Sequence, residues 1–348
     1  MADSAGWSLT ESDPGVFTGL LHDLGVKGIE VEELWGLDPD LLQDLHPVHA
    51  LIFLFKWIGH ADPETMDGKP EEPEGPHYFA CVSSPLIPSP PHLPSEEREH
   101  RHQVINNACA SIALLNATLN IKDPNVELGE ELSNLQAFSE GLDPETRGWT
   151  ISNSEKIREV HNSFARSDPF HLEEYRPQDE SEDAYHFIAY LPIGGKLYEL
   201  DGLKRTPVSH GEIPSGGNWT DLAREVLERR IATHPPGEVM FNLMAVTSRS
   251  SFLRSEIARL SIAAEGGDDT AVVRVADLRE RLQGIEEKMK DWEVENSLRR
   301  HNYIGLVHAL LVELAKQNKL APQIADAKEK MQKRIAEKRA KGEAMDED

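Results

Sequence analysis

The chain has 348 residues, and its 36 Lys and Arg against 61 Asp and Glu give a formal net charge of −25. That balance argues against nonspecific nucleic-acid or anionic-membrane binding and suits a basic partner surface. Two cysteines, Cys81 and Cys109, provide no disulfide framework, the N-terminus lacks a signal pattern, and the longest strongly apolar run, ALIFLF, is too short to span a bilayer, so the protein is expected in the cytoplasm, the nucleus or both.

In chain order, Asp13-Pro14-Gly15 marks a turn, after which Val16, Leu20, Leu21 and Leu24 follow helical spacing. Ala50–Trp57 reads as a strand. Residues 81–102 carry five prolines between Pro85 and Pro94 and cannot continue a strand. Their histidines with Cys81 match no zinc spacing, so no metal or cofactor is expected. Cys109–Ile121 reads as a buried helix, and Ser154–Ala165 as a second one. The acidic stretch 167–183 has the composition of a surface loop. Strands are expected at Ala184–Pro192 and Lys196–Leu200, joined by the turn Pro192–Gly195, then a helix at Leu222–Thr233 and a strand at Val239–Ser248. The pattern is α/β (α+β) with an antiparallel hairpin.

Past Ser250, residues 252–297 place Glu, Arg, Leu and Ile at helical spacing, interrupted at Gly266-Gly267-Asp268-Asp269. This predicts a helical or coiled-coil linker over 249–296. Residues 297–341 form a further helical domain, apolar enough to need a partner, and 342–348 an acidic tail. The basic run Lys328–Lys341 reads as a solvated charged helix, with a nuclear signal as the alternative.

Chemistry concentrates in three stretches: QVINNAC (Gln103 to Cys109), DAYHF with His186, and LYELDG with Asp201. Thiol catalysis needs a thiolate, a base to form it and a group that holds the base in its productive tautomer, and Cys109, His186 and Asp201 fill those roles. Gln103 can offer an amide N–H to a developing oxyanion beside the backbone N–H of Cys109. A helix N-terminus at Cys109 would lower the thiol pKa.

In this order, QVINNACA, HNSFAR (161–166), AYHF and LYELDG resemble the ubiquitin C-terminal hydrolases, in particular their long, proteasome-associated subclass. WSLTESDPGVFTGLL (Trp7–Leu21) and PVHALIFLFKW (Pro47–Trp57) resemble that subclass too. The resemblance implies a papain-like cysteine hydrolase over 1–248, with a central helix carrying nucleophile Cys109. His186 would be the general base, Asp201 its orienting group and Gln103 the oxyanion donor. Ubiquitin amide or isopeptide bonds would be cleaved through a thioester. It also implies substrate contact by Ser12, Asp13, Pro14 and Phe17, a crossover loop at 167–183, and docking of about 297–341 on a proteasomal ubiquitin receptor. Two departures flank the nucleophile: the 81–102 insertion, and a run after Cys109 about four residues shorter than the family's. They keep a catalytically weak ubiquitin and proteasome adaptor as the alternative.

Overall fold

The structure, a computed structural model, describes residues 6–56, 68–82, 108–165, 185–234 and 241–341. They divide into two units at Arg300/His301. The first is built on a seven-stranded sheet in the order β1-β7-β2-β4-β5-β6-β3, with every neighbouring pair antiparallel. Its strands are β1 Glu30–Glu33, β2 Val48–Lys56, β3 Lys69–Pro70, β4 Tyr185–Ile193, β5 Lys196–Asp201, β6 Val208–Glu212 and β7 Asn242–Thr247. The expected hairpin is β4–β5, turning through Gly194 and Gly195, both at positive φ. Side-chain alternation then sends apolar residues of the central strands to two cores.

One core packs α1 (Pro14–Asp23), α3 (Cys109–Thr118), α4 (Gly129–Phe138) and α6 (Glu155–Ser163) against one face of the sheet. The other packs α7 (Trp219–Ala232), together with Leu42 of the short α2 (Pro39–Asp44), on the opposite face. All ten residues of α3 are buried, the behaviour of a helix without a polar face. Its polar members are satisfied internally. Asn116 exchanges two hydrogen bonds with the backbone of Ala80 (2.8 and 3.0 Å), and Asn120, just past the helix, does the same with Tyr78 (2.8 and 2.7 Å). Those bonds anchor residues 78–80 to the C-terminal end of α3. Cys81 is buried too, its N–H bonded to Pro144 O, and the Val82 N–H reaches Gly202 O at 2.7 Å. At the start of the expected 81–102 insertion, Cys81 and Val82 are packed residues, and 83–102 lie outside the described ones.

Several elements escape the sequence pattern. β1 reads EVEE, yet Glu30 is buried because its carboxylate accepts from the N–H and Oγ of Ser250 at 2.7 and 2.8 Å. Short β6 and α2, and the helices α4 and α5 (Pro144–Asn153), carry too few apolar residues to show a period.

The two helices after β7 are α8 (Arg249–Glu265) and α9 (Asp269–Arg300). They are helical, as expected for 249–296, and they belong to the same compact unit as the sheet. The reason lies at the end of α9. Asn296 donates to Gly15 O (2.8 Å), Arg299 forks onto both carboxylate oxygens of Asp13 (3.2 and 2.9 Å), and Arg300 covers the Phe164 ring. Gly15 leaves room for Trp292: a Cβ there would lie 2.7 Å from the indole. A stop after Arg300 should leave the melting temperature within about 2 °C of the full chain, whereas a stop after Gly266 should lower it by roughly 10 °C, as the loss of about 4 kcal/mol would. Calorimetry of both truncations checks this; equal melts would return α9 to the linker.

The second unit, described by itself, holds α10 (Ile304–Lys316) and α11 (Leu320–Lys341), with Asn318 between them at φ 54°. Ile304, Leu306, Leu310, Leu311 and Val312 of α10 are exposed.

Candidate active site

Cys109 is the first residue of α3, 6% exposed, so its thiol lies where a helix favours negative charge. His186 sits on β4 and Asp201 ends β5. Ile188 is the residue opposite Asp201, so β4 carries His186 two positions past the end of β5. The imidazole Nε2 meets Asp201 Oδ1 at 2.6 Å, and that oxygen also accepts the Leu203 N–H at 2.9 Å. The Cys109 side chain lies close enough to His186 to help raise its pKa. With Nε2 committed to the carboxylate, Nδ1 is the ring nitrogen left for the thiol.

The electrostatics follow from burial and charge. Burial alone would depress the His186 pKa, but the charge and hydrogen bond of Asp201, assisted by Cys109, raise it to about 10. Burial pushes the Asp201 carboxyl up, and the His186 imidazolium overrides it and holds the group below the usual range. At neutral pH the ring is a cation facing a thiol, an arrangement suited to holding a thiolate and later returning a proton. Gly202 brings the pieces together: a Cβ there would stand 2.9 Å from Ile112 Cγ2, one turn along α3 from Cys109.

A profile for ubiquitin carboxyl-terminal hydrolases of family 1 matches residues 7–232. The chain belongs to the ubiquitin carboxyl-terminal hydrolase family. A second profile for ubiquitin carboxyl-terminal hydrolases matches residues 275–320. Ubiquitin carboxyl-terminal hydrolase ubh-4 of Caenorhabditis elegans is 40% identical over 94% of this chain and 93% of its own. Isozyme L5 of Dictyostelium discoideum is 35% identical over 95% and 98%. The crystal structure of Trichinella spiralis UCH37 bound to ubiquitin vinyl methyl ester is similar with a TM-score of 0.60 at 33% identity, covering 82% of this chain and 99% of that one. The papain-like fold expected from the sequence, with its antiparallel sheet and C-terminal helices, is the observed one. The protein is a cysteine-type deubiquitinase.

The remaining residues expected in this hydrolase's site are Gln103, the loop 167–183 and the four substrate contacts. Gln103 and the loop 167–183 lie outside the described residues. Of the proposed substrate contacts, Phe17 is fully buried, its ring 5.6 Å from that of Phe187, and offers no surface. Asp13 is taken up by capping the Val16 N–H of α1 (2.9 Å) and by Arg299, while Ser12 and Pro14 are partly exposed. Of the four residues expected to contact ubiquitin, Asp13 is thus also a helix cap and Phe17 a core side chain.

Sequence reasoning missed His161, although the HNSFAR motif contained it. Its Nε2 lies 2.8 Å from Ser8 O, a group that can only accept, so Nε2 carries the proton and Nδ1 accepts from the Ser111 hydroxyl at 2.8 Å. Asn162 beside it bonds the Ser8 N–H and Gly6 O. The pair thus ties residues 6–10 to the helix that begins at Cys109. Burial depresses the His161 pKa to about 4, only partly offset by the bond to Ser8. An unfolded chain therefore binds a proton that the folded one refuses between about pH 6.5 and 4, and stability falls as pH drops through that window, by up to about 3 kcal/mol. His161→Gln should flatten that acid limb in melts recorded from pH 7 to 4; an unchanged limb would assign the loss to other groups.

Proposed function

We propose that Cys109 is the nucleophile, His186 the general base and acid, Asp201 the group that fixes the ring, and Gln103 an oxyanion donor, in hydrolysis of ubiquitin C-terminal amide and isopeptide bonds. The observation that carries this reading is the buried series of thiol, imidazole and carboxylate, with His186 bonded to Asp201 and electrostatically coupled to Cys109. The Cys109 sulfur adds to the carbonyl of the ubiquitin C-terminal glycine. The carbon–nitrogen bond then breaks as His186 gives its proton to the departing amine, leaving a thioester. Water, deprotonated by His186, adds to that thioester and releases the ubiquitin carboxylate and the thiol.

The exposed apolar residues of α10 support docking of the C-terminal helices on a proteasomal ubiquitin receptor. The cytoplasm and nucleus are proposed as the protein's location with that partner. The experiment that tests the catalytic reading is capture by a ubiquitin C-terminal electrophile. One ubiquitin should be added, mapped to Cys109, and lost in Cys109→Ala but kept in Cys81→Ala. Labelling at Cys81, or none, would overturn it. Gln103→Ala should lower kcat by about 10²- to 10³-fold, the loss expected for one oxyanion donor, and an unchanged rate would remove it from the site.

A further inference from the structure

Behind the His186–Asp201 pair lies a charged cluster that the chemistry above does not use. Glu199, two residues before Asp201 on β5 and therefore on the same side of the strand, is fully buried. Its carboxylate takes four partners: Tyr190 OH, Lys204 Nζ, His210 Nε2 and Arg230 Nη1, each at 3.1 Å. Arg230, on α7 and 3% exposed, also donates to Tyr190 OH at 2.9 Å. Its guanidinium carbon stands 4.6 Å from the centroid of the Phe55 ring. Phe55 is the register partner of His186 across β2–β4, and its ring meets the imidazole edge-to-face at 5.8 Å. Lys204 closes the other side: while its Nζ holds Glu199, its backbone N–H bonds Asp201 O at 3.0 Å.

We infer that Arg230 and Glu199 are positioning residues for the catalytic pair, holding Asp201 through β5 and its turn and His186 through the ring of Phe55. The inference rests on the roles proposed above for His186 and Asp201. Buried ion pairs are commonly replaceable by apolar packing at no loss of stability, so stability alone does not account for a four-partner carboxylate here. Its position does, because the cluster reaches both members of the pair from one buried point. The charge balance points the same way. The negative charge of Glu199 opposes ionisation of Asp201, and Arg230 sits where it offsets that charge. Among the described residues, the charged or titratable groups around His186 include Cys109 from α3, Asp201 and Lys204 from β5 and its turn, Tyr185 and Lys56 at the paired ends of β4 and β2, and Arg230 and His234 beyond Phe55, with Glu199 and His210 behind Asp201.

The test uses the full chain and four variants: Glu199→Gln, Arg230→Lys, Arg230→Met and the charge-balanced Glu199→Gln/Arg230→Met. Two rates are read. One is alkylation of Cys109 by iodoacetamide across pH, in which the sulfur–carbon bond forms as iodide leaves. The other is turnover of a ubiquitin C-terminal amide. Glu199→Gln removes a negative charge and should move the pH midpoint of alkylation down by about half a unit, Arg230→Met should move it up, and the double variant should return it toward the parent. In each single variant kcat should fall about tenfold with KM within about twofold, since no ubiquitin contact is removed, and Arg230→Lys should recover part of the loss. Should Arg230→Met fail to fold, Glu199→Gln and the double variant still decide. The inference is overturned if the midpoints stay at the parent value, whether activity is unchanged or its losses only track lowered melting temperatures. Failure of Cys109 to react in the parent would instead overturn the nucleophile assignment.

Discussion

Cys109→Ala is expected to cut turnover of a ubiquitin C-terminal amide on the order of 10⁶-fold while leaving the Kd for ubiquitin within about threefold. The first part follows from the chemistry: without the sulfur there is no bond to the carbonyl, and only the ordering of water by the remaining groups is left. The second follows from the size of the change. Cys109 is 6% exposed, so the lost atom contributes almost nothing to a surface that a whole ubiquitin would cover. Truncation leaves a void of about one sulfur atom at the first residue of a fully buried helix, a cost of roughly 1 to 2 kcal/mol that a melt would register without loss of fold. Single-turnover kinetics and calorimetric titration with ubiquitin measure the two halves separately. Parental turnover by the variant would remove Cys109 from the reaction; a weakened Kd with a normal melt would place the thiol in the binding surface.

The pair His186–Asp201 was legible in the sequence because the features that build it are local. Two apolar strands flank a glycine turn, the residue counts on either side set the register, and Asp-Gly marks where the second strand must stop. Cys109 stood at the head of an apolar run that read as a buried helix, which it is, and was singled out by its order with His186 and Asp201 in the family resemblance. What the sequence hid is carried by long-range pairing. Glu30 makes a strand of EVEE because Ser250, 220 positions later, satisfies it, and Phe17 is buried with its ring against that of Phe187. Residues 249–296 have the composition of a solvated helix pair. What binds that pair into the catalytic unit is a few residues near the end of α9, Trp292, Asn296 and Arg299 among them, whose partners lie near the N-terminus. The cluster of Glu199 and Arg230 is of the same kind, since nothing in LYELDG or LERRIA announces that their side chains meet.

Asp201→Asn is expected to lower kcat on the order of 10³- to 10⁴-fold with the geometry nearly intact. The amide oxygen can still accept from His186 Nε2 and from the Leu203 N–H, so the ring keeps its place. What goes is the charge. Burial pulls the His186 pKa down and Asp201 is the main reason it stands at about 10 instead. With asparagine the charge of Asp201 no longer opposes burial, so the ring should titrate well below its parental value and be less of a cation beside Cys109 at neutral pH. The alkaline fall in activity should accordingly move from near pH 10 in the parent to well below that in the variant. Stability carries the same signature with a definite sign. A histidine raised above its unfolded value contributes stability in full below about pH 6.5, and that contribution is lost as pH rises through its folded value near 10. The parent should therefore lose melting temperature between about pH 7 and 10 in a way the variant does not. At the acid end the order reverses. The parent loses the contribution of Asp201 as pH falls through the depressed pKa of that carboxyl, and the variant has none to lose. Activity and melting profiles of the two proteins from pH 3 to 10.5 decide the matter. A variant that keeps the parental alkaline limb would mean that Asp201 orients the ring without setting its charge.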